Sequence, residues 1–221
     1  MTADAAASIV DAVRRTCELE PGEGTILVTT TLSTYLAPAP ARLWPLLTRP
    51  EELARWYGPI EGDLREGGEF RAPGGAGGRI LEAVEPHKLD LTWEYQGKAD
   101  SLLIRIDPMD DGASSLDLVH TTAMPREVFD AYGPGASAVG WDIALLGLAA
   151  FSGGWDSLSE HPVPTPTPQW LATAQGAAFV AAWSIRWGGA SAAAGTDPAL
   201  SRAGELATTA AYGGAAGAVT P

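Results

Sequence analysis

Apolar and polar positions change rhythm several times along the chain. Ile9, Val10, Val13 and Cys17 recur at helical spacing, which predicts a short amphipathic helix within residues 1–22, closed by Pro21-Gly22-Glu23-Gly24. Thr25 to Leu36 is rich in Thr and Val and reads as a strand. Ala39 to Leu47 reads as a helix with Pro40 at its start, where a missing N–H costs nothing, and Pro45 inside, which shortens or kinks it. Pro50-Glu51-Glu52-Leu53 opens a second short helix with acids in its first turn, ending at Gly58-Pro59. From Ile60 the period drops to two. Arg79 to Glu85 alternates and turns at Pro86-His87. Leu89, Leu91, Trp93 and Tyr95 then alternate with polar residues up to Gln96-Gly97-Lys98. Leu102, Ile104 and Ile106 follow, then the hairpin signal Asp110-Asp111-Gly112, then Leu116, Leu118 and His120. This is a meander of antiparallel strands.

The helical period returns over Ala136 to Phe151, with Val139, Ile143, Leu146 and Ala150 on one stripe and Trp141, Leu145 and Leu148 on the next, stopped by Gly153-Gly154. An antiparallel sheet with one apolar face needs a cover, and this helix is the predicted one. The segment His161-Pro-Val-Pro-Thr-Pro-Thr-Pro168 favours extended polyproline and marks a boundary. Beyond it, Gln169 to Trp187 reads as one helix carrying Phe179, Trp183 and Trp187, and Asp197-Pro198 starts another that stops at Gly213-Gly214. The expected organisation is an N-terminal helix (1–22), a sheet-and-helix domain (23–158), a Pro-rich linker (159–168) and a helical hairpin (169–215).

The middle of the chain resembles a known family. The residues that carry the resemblance are Ala39-Arg42-Leu43-Trp44, Leu47-Thr48-Arg49-Pro50-Glu51-Glu52-Leu53 and Trp56-Tyr57, then Leu64-Arg65-Glu66-Gly67-Gly68-Glu69-Phe70. Gly78 to Leu89, Thr92-Trp93, Leu116 to His120 and Gly140-Trp141 with Leu145 and Leu148 complete it. Over about residues 25–153 the chain is similar to the bacterial homologues of the ATPase activator of the 90-kDa heat-shock protein. These belong to the START, birch-pollen-allergen-like and polyketide-cyclase (SRPBCC) superfamily. The resemblance implies an α+β helix-grip fold: a curved antiparallel sheet wrapped on a long C-terminal helix, two small helices closing one end, and an apolar cavity between sheet and helix. Functions in the superfamily range from lipid transport and hormone binding to polyketide cyclisation and co-chaperone action, so fold does not settle function.

Charge narrows the partners. The 221 residues hold 14 Lys plus Arg against 27 Asp plus Glu, a net charge of −13, which disfavours nucleic acid and anionic membrane. Only Arg186, Asp197, Arg202 and Glu205 lie beyond residue 165, and they cancel, so the acidity belongs to the sheet-and-helix part. An uncharged helical hairpin is expected to be buried, either on its own domain or as a homodimer interface through 169–215. Trp170 to Gly189 is the best membrane candidate, but Gln175, Ser184 and Arg186 interrupt it. Cys17 is the single cysteine and there is no Cys/His metal spacing; with no signal-like N-terminus, a cytoplasmic location is the expectation.

Candidate chemistry is sparse. His120 shares a strand face with Leu116 and Leu118 and is the one acid/base candidate, although no Ser, Cys or Asp partner stands at motif spacing. Arg105 and Asp117 are expected as a cross-strand pair on the solvent face. Gly74-Gly75-Ala76-Gly77-Gly78 lacks the Lys-Ser/Thr ending of a phosphate loop and reads as a flexible hairpin loop at the cavity mouth; Asp107 to Asp111 lacks the alternating ligands of a calcium loop. Aromatic residues, Trp44 among them, mark the core or a pocket wall. The expected function is binding of a small apolar, lipid- or polyketide-like molecule, without metal or cofactor, by Trp56, Trp93, Tyr95, His120, Trp141 and Leu145. Two alternatives stay open: a cyclase- or dehydratase-type enzyme using His120, and a chaperone-linked interaction module.

Overall fold

A computed structural model describes residues 3–155 and 162–214. The N-terminal helix α1 (Ala3–Asp11) leads into β1 (Val13–Pro21) and β2 (Thr25–Leu36). Two short helices follow, α2 (Pro40–Thr48) and α3 (Pro50–Trp56), each with proline in its first turn. The strands β3 (Glu61–Gly62), β4 (Glu69–Arg71), β5 (Gly77–Val84), β6 (Lys88–Tyr95), β7 (Lys98–Pro108) and β8 (Ser114–Pro125) form the meander. Then come α4 (Arg126–Tyr132), the long α5 (Gly135–Ser152), α6 (Pro168–Leu171), α7 (Ala174–Ala193) and α8 (Pro198–Gly214). All eight strands pair antiparallel in the order β1-β2-β8-β7-β6-β5-β4-β3, and α5 lies against one face. This is the α+β helix-grip arrangement.

Turn chemistry sets the register. Gln96 and Gly97 both have positive φ (51° and 79°), the conformation that matches a two-residue hairpin to the twist of its strands. Tyr95 therefore pairs with Lys98, Trp93 with Asp100 and Leu91 with Leu102. At Gly78 a Cβ would lie 1.8 Å from the Thr92 carbonyl oxygen, so only glycine lets β5 approach β6 there. Further along the same pair a register shift between Ile80 and Glu82 makes a bulge, which bends the sheet around α5.

The N-terminal expectation is corrected. Residues 13–21 are not the end of a helix but the edge strand β1, paired along its length with β2. Its even positions, Arg14, Thr16, Glu18 and Glu20, are exposed, and Val13, Arg15, Cys17 and Leu19 turn inward. The period of two was hidden because an arginine, Arg15, occupies an inward position. Cys17 is another inward residue, and burial pushes its thiol up to about 12.

The tail is corrected in one detail. Residues 169–187 are not one helix: α6 ends at Leu171, and Thr173, in extended conformation, caps α7 by accepting a hydrogen bond from the Gly176 N–H at 3.1 Å. Asp197 caps α8 through the Ala199 and Leu200 N–H groups. The hairpin packs on its own domain, α7 against β1, α1 and α5, and α8 against α7, α4 and α5. Phe179, Val180, Trp183 and Trp187 join one continuous apolar core with Ile9, Val13 and Trp141. The boundary expected at 159–168 lies partly outside the described residues, as do His161 and the end of the hairpin at residue 215. Among the described residues it is α5, not 170–189, that is long and apolar enough to cross a membrane, and it is largely buried between sheet and tail.

Candidate functional site

The apolar face of α5 does not close onto the sheet along its whole length. Trp141, Ala144, Leu145 and Leu148, spaced i, i+3, i+4, i+7, form the roof of a cavity of about 100 Å³. Ile80, Leu89, Leu91, Trp93, Leu102, Ile104, Leu116 and Leu118 make its floor, drawn from β5 to β8. The two small helices, the loop after them and the β3–β4 connection close the end with Leu47, Thr48, Leu53, Trp56, Tyr57, Ile60 and Leu64. Phe70 completes the wall. Strand alternation explains the floor: every second residue of β6, Leu89, Leu91 and Trp93, is buried toward α5.

Aromatic rings dominate one end. Trp93 meets Trp141 edge to face at 5.3 Å and Tyr57 at 6.4 Å, and Tyr57 meets Trp56 at 5.6 Å. The Trp56 indole N–H donates to the Leu46 carbonyl at 2.9 Å. The Tyr57 hydroxyl and the Trp141 indole N–H are buried with no partner. Burial pushes the Tyr57 phenol well above its ordinary range, so it remains a neutral O–H donor.

Of the six expected ligand residues, Trp56, Trp93, Trp141 and Leu145 line the cavity. Tyr95 does not. It shares the phase of Trp93 but stands at the hairpin end beyond the cover of the helices, 41% exposed, on an outer groove. His120 is buried at 3% exposure, yet it does not line the cavity; its ring packs against Trp141 at 5.5 Å, one layer back.

His120 has company that its strand alone did not announce. Asp100 Oδ2 lies 3.4 Å from its Nε2, an ion-pair distance rather than a formed hydrogen bond, and Lys98 Nζ lies 3.2 Å from Asp100 Oδ1. Lys98 also donates to the Thr122 hydroxyl. Burial works against the charged form of Asp100, but the His120 and Thr122 groups and the Lys98 charge outweigh it and hold the carboxyl below the usual carboxylate range. The pairing was latent in the sequence: counting back from Gln96-Gly97 places Asp100 opposite Trp93, and the next hairpin places His120 opposite Leu102. Arg105 and Asp117 sit directly opposite each other on β7 and β8, on the face away from the cavity.

Two outer grooves touch the cavity wall. One, of about 460 Å³, is lined by Trp44, Pro50, Asp63, Arg65, Glu66 and Glu85, and shares Thr48 and Leu64 with the cavity. The other, of about 900 Å³, runs past Gly75 to Arg79 and the β6–β7 hairpin and shares Phe70. The glycine run thus lines an outer groove next to the wall residue Phe70.

The comparisons agree with this architecture. The chain is similar to CalU16 from Micromonospora echinospora in its crystal structure, at 28% identity over 63% of this chain and 85% of that one, with TM-score 0.53. The solution structure of CalU16 aligns over 92% of this chain and 94% of that one at 22% identity and TM-score 0.56, so the fold it shares includes the tail. PFC0360w, an HSP90 activator from Plasmodium falciparum, matches at 22% identity over 42% of this chain and 72% of that one, with TM-score 0.40. No curated protein matches. The model for the Activator of Hsp90 ATPase homolog 1-like protein family matches residues 37–153, more than half of the chain, from α2 to the end of α5. The protein belongs to the Activator of Hsp90 ATPase homolog 1-like family.

Proposed function

We propose that this protein binds a small apolar molecule between its sheet and α5. One observation carries the reading: the α5 face formed by Trp141, Ala144, Leu145 and Leu148 stands off an almost wholly apolar floor and leaves about 100 Å³ unfilled. Interiors normally pack to crystal density, and a void of this size forfeits contacts that filling it would supply. Empty apolar cavities of roughly 150 Å³ admit a benzene ring, so the space suits a compact molecule better than a long lipid chain. The test is a titration with benzene followed by backbone and indole amide NMR. Shifts confined to residues such as Trp93, Ala144 and Leu145 are the expected result, and shifts that are absent or scattered over the surface refute the reading.

A second reading is catalytic, with His120 as acid/base. What favours it is the Asp100 carboxylate 3.4 Å from His120 Nε2, beside a ring that forms the cavity wall. Since Trp141 stands between His120 and the cavity, a reacting group must pass or displace that indole. Turnover of any bound compound that His120→Ala abolishes, with binding retained, separates this reading from the first. The chaperone link that the family's name suggests rests on no feature of the cavity.

A further inference from the structure

The sheet has an open edge. β1 ends the strand order and pairs on one side only, with β2, in an unbroken register from Val13 opposite Thr34 to Pro21 opposite Ile26. In an antiparallel ladder, residues that exchange hydrogen bonds with the partner strand alternate with residues whose N–H and C=O point away from it. The Gly22 N–H donates to the Thr25 carbonyl at 2.9 Å, so the bonded positions of β1 are the even ones. The backbone groups of Val13, Arg15, Cys17 and Leu19 therefore face outward. Among the described residues no backbone group meets them there, and one of them is met by a side chain: the Val13 carbonyl accepts from the Arg15 guanidinium at 2.7 Å. Natural edges are usually guarded by a proline, a bulge or an inward charge. β1 has no bulge, its proline stands at its last position, and its inward charge, Arg15, is tied beneath the sheet to Asp142.

The exposed side chains of this edge are self-complementary. Turned antiparallel about Cys17, a second copy sets Arg14 against the partner's Glu20 and, by symmetry, Glu20 against the partner's Arg14. Both side chains are exposed, and within the chain Arg14 reaches the Ser33 hydroxyl rather than a carboxylate. They fall at non-hydrogen-bonded positions of the new ladder, where side chains come closest. The same turn sets Arg15 against the partner's Leu19 and Cys17 against its own copy, so that outward backbone groups meet one another. Val13 then lies against the partner's Pro21. Proline has no N–H to give, and the Val13 carbonyl needs none, since Arg15 already supplies one. Every outward donor and acceptor of β1 is matched in this register.

We infer that two copies of this chain join through their β1 edges, antiparallel about Cys17, into one continuous sheet. The helical hairpin, packed on its own domain, takes no part.

Sedimentation velocity of the full-length protein across a concentration series tests this. The mass should rise from one chain, 22.9 kDa, to two. Hydrogen exchange at both ends of the series should show the Arg15, Cys17 and Leu19 amides slowed in the concentrated sample, much more than those of Thr16 and Glu18. Glu20→Arg sets cation against cation at both ends of the ladder and should weaken association about ten-fold. Arg14→Glu combined with Glu20→Arg restores opposite charges between copies and should recover most of that loss. Within one chain the two residues stand about 20 Å apart along the strand, too far to touch. A single-chain mass at every concentration overturns the inference. So does a dimer that Glu20→Arg leaves as tight, or one whose Arg15, Cys17 and Leu19 amides gain no protection. Failure of the double variant to recover the loss overturns the register about Cys17.

Discussion

The space beneath the sheet divides into two halves that use similar residues to opposite ends. Under β1 and β2, the tail helix α7 presses Phe179, Trp183 and Trp187 into the core, each at most 2% exposed. At the centre of that half the Asp142 carboxylate accepts from Arg15 at 2.6 and 2.9 Å and from the Trp187 indole at 2.7 Å, while Arg15 also donates to the Val10 and Val13 carbonyls. Under β5 to β8 there are again tryptophans, but about 100 Å³ of space is left unfilled. Both halves hang from the same helix: Asp142 and Trp141 are neighbours on α5, about 100° apart around its axis. The difference separates a half closed by packing and a buried ion pair from one that, on the binding reading proposed above, has room for a ligand. A buried charge is kept only when its hydrogen bonds are complete, whereas an apolar void sets no such condition.

The largest expected effect comes from breaking the closed half. Arg15→Met leaves Asp142 buried without its cation and should cost ~3–5 kcal/mol, read from the urea midpoint at unchanged m value. Arg15→Met combined with Asp142→Leu should recover most of that loss, because the paired hydrophobic replacement leaves no charge behind. Burial already pushes the Asp142 carboxyl up, against the pull of Arg15 and Trp187. Without Arg15 its pKa rises further above the unfolded value, so the variant's deficit is smallest at acid pH and grows as pH rises. A deficit independent of pH contradicts this account.

A pair of matched substitutions on α5 sharpens the contrast. Ala138 is fully buried and lies one turn before Asp142, toward the closed half, whereas Ala144 lines the cavity. Ala138→Leu should destabilise by ~1–3 kcal/mol through overpacking. Ala144→Leu should stabilise by ~0.5–2 kcal/mol as a filled cavity and abolish the benzene shifts. Opposite signs in thermal unfolding support two different halves; equal losses erase the distinction.

The smallest effect is a matter of pH. Asp100 has its carboxyl held below the usual range, so its contribution is present at neutral pH. That contribution is lost as pH falls below about 4 and through the lowered folded value. Asp100→Asn should flatten that part of the stability-versus-pH curve relative to wild type. An identical acid limb in both proteins would show that the Lys98, His120 and Thr122 contacts contribute nothing to it.

Much of this was legible in the sequence where one period held without interruption. The meander from β5 to β8, α2, α3 and α5 follow from alternation, prolines at helix starts and turn residues such as Gln96-Gly97. The failures share a cause: a residue whose partner is distant in sequence. Arg15 hid a strand because an inward arginine makes sense only opposite Asp142, 127 positions away. Thr173 looked like helix interior, yet its hydroxyl serves better as a cap. Tyr95 kept the right phase, but phase says nothing about where the covering helices end. His120 kept its face and its burial; that Trp141 lies between it and the cavity is a matter of packing, which no spacing rule reports. Tyr57 was visible beside Trp56 as a motif residue, and only its place in the cavity wall marks it as part of the site.

Thr48 and Leu64 belong at once to the cavity and to the outer groove beside it. Thr48 is the last residue of α2, and Leu64 lies in the stretch between β3 and β4. No strand needs to unpair for these two side chains to move apart. On the binding reading proposed above, exchange across this wall needs only rotamer and loop motion, on nanosecond to microsecond timescales, and not global unfolding. On that reading, the residence time of a bound molecule would be set by how tightly the interior holds it.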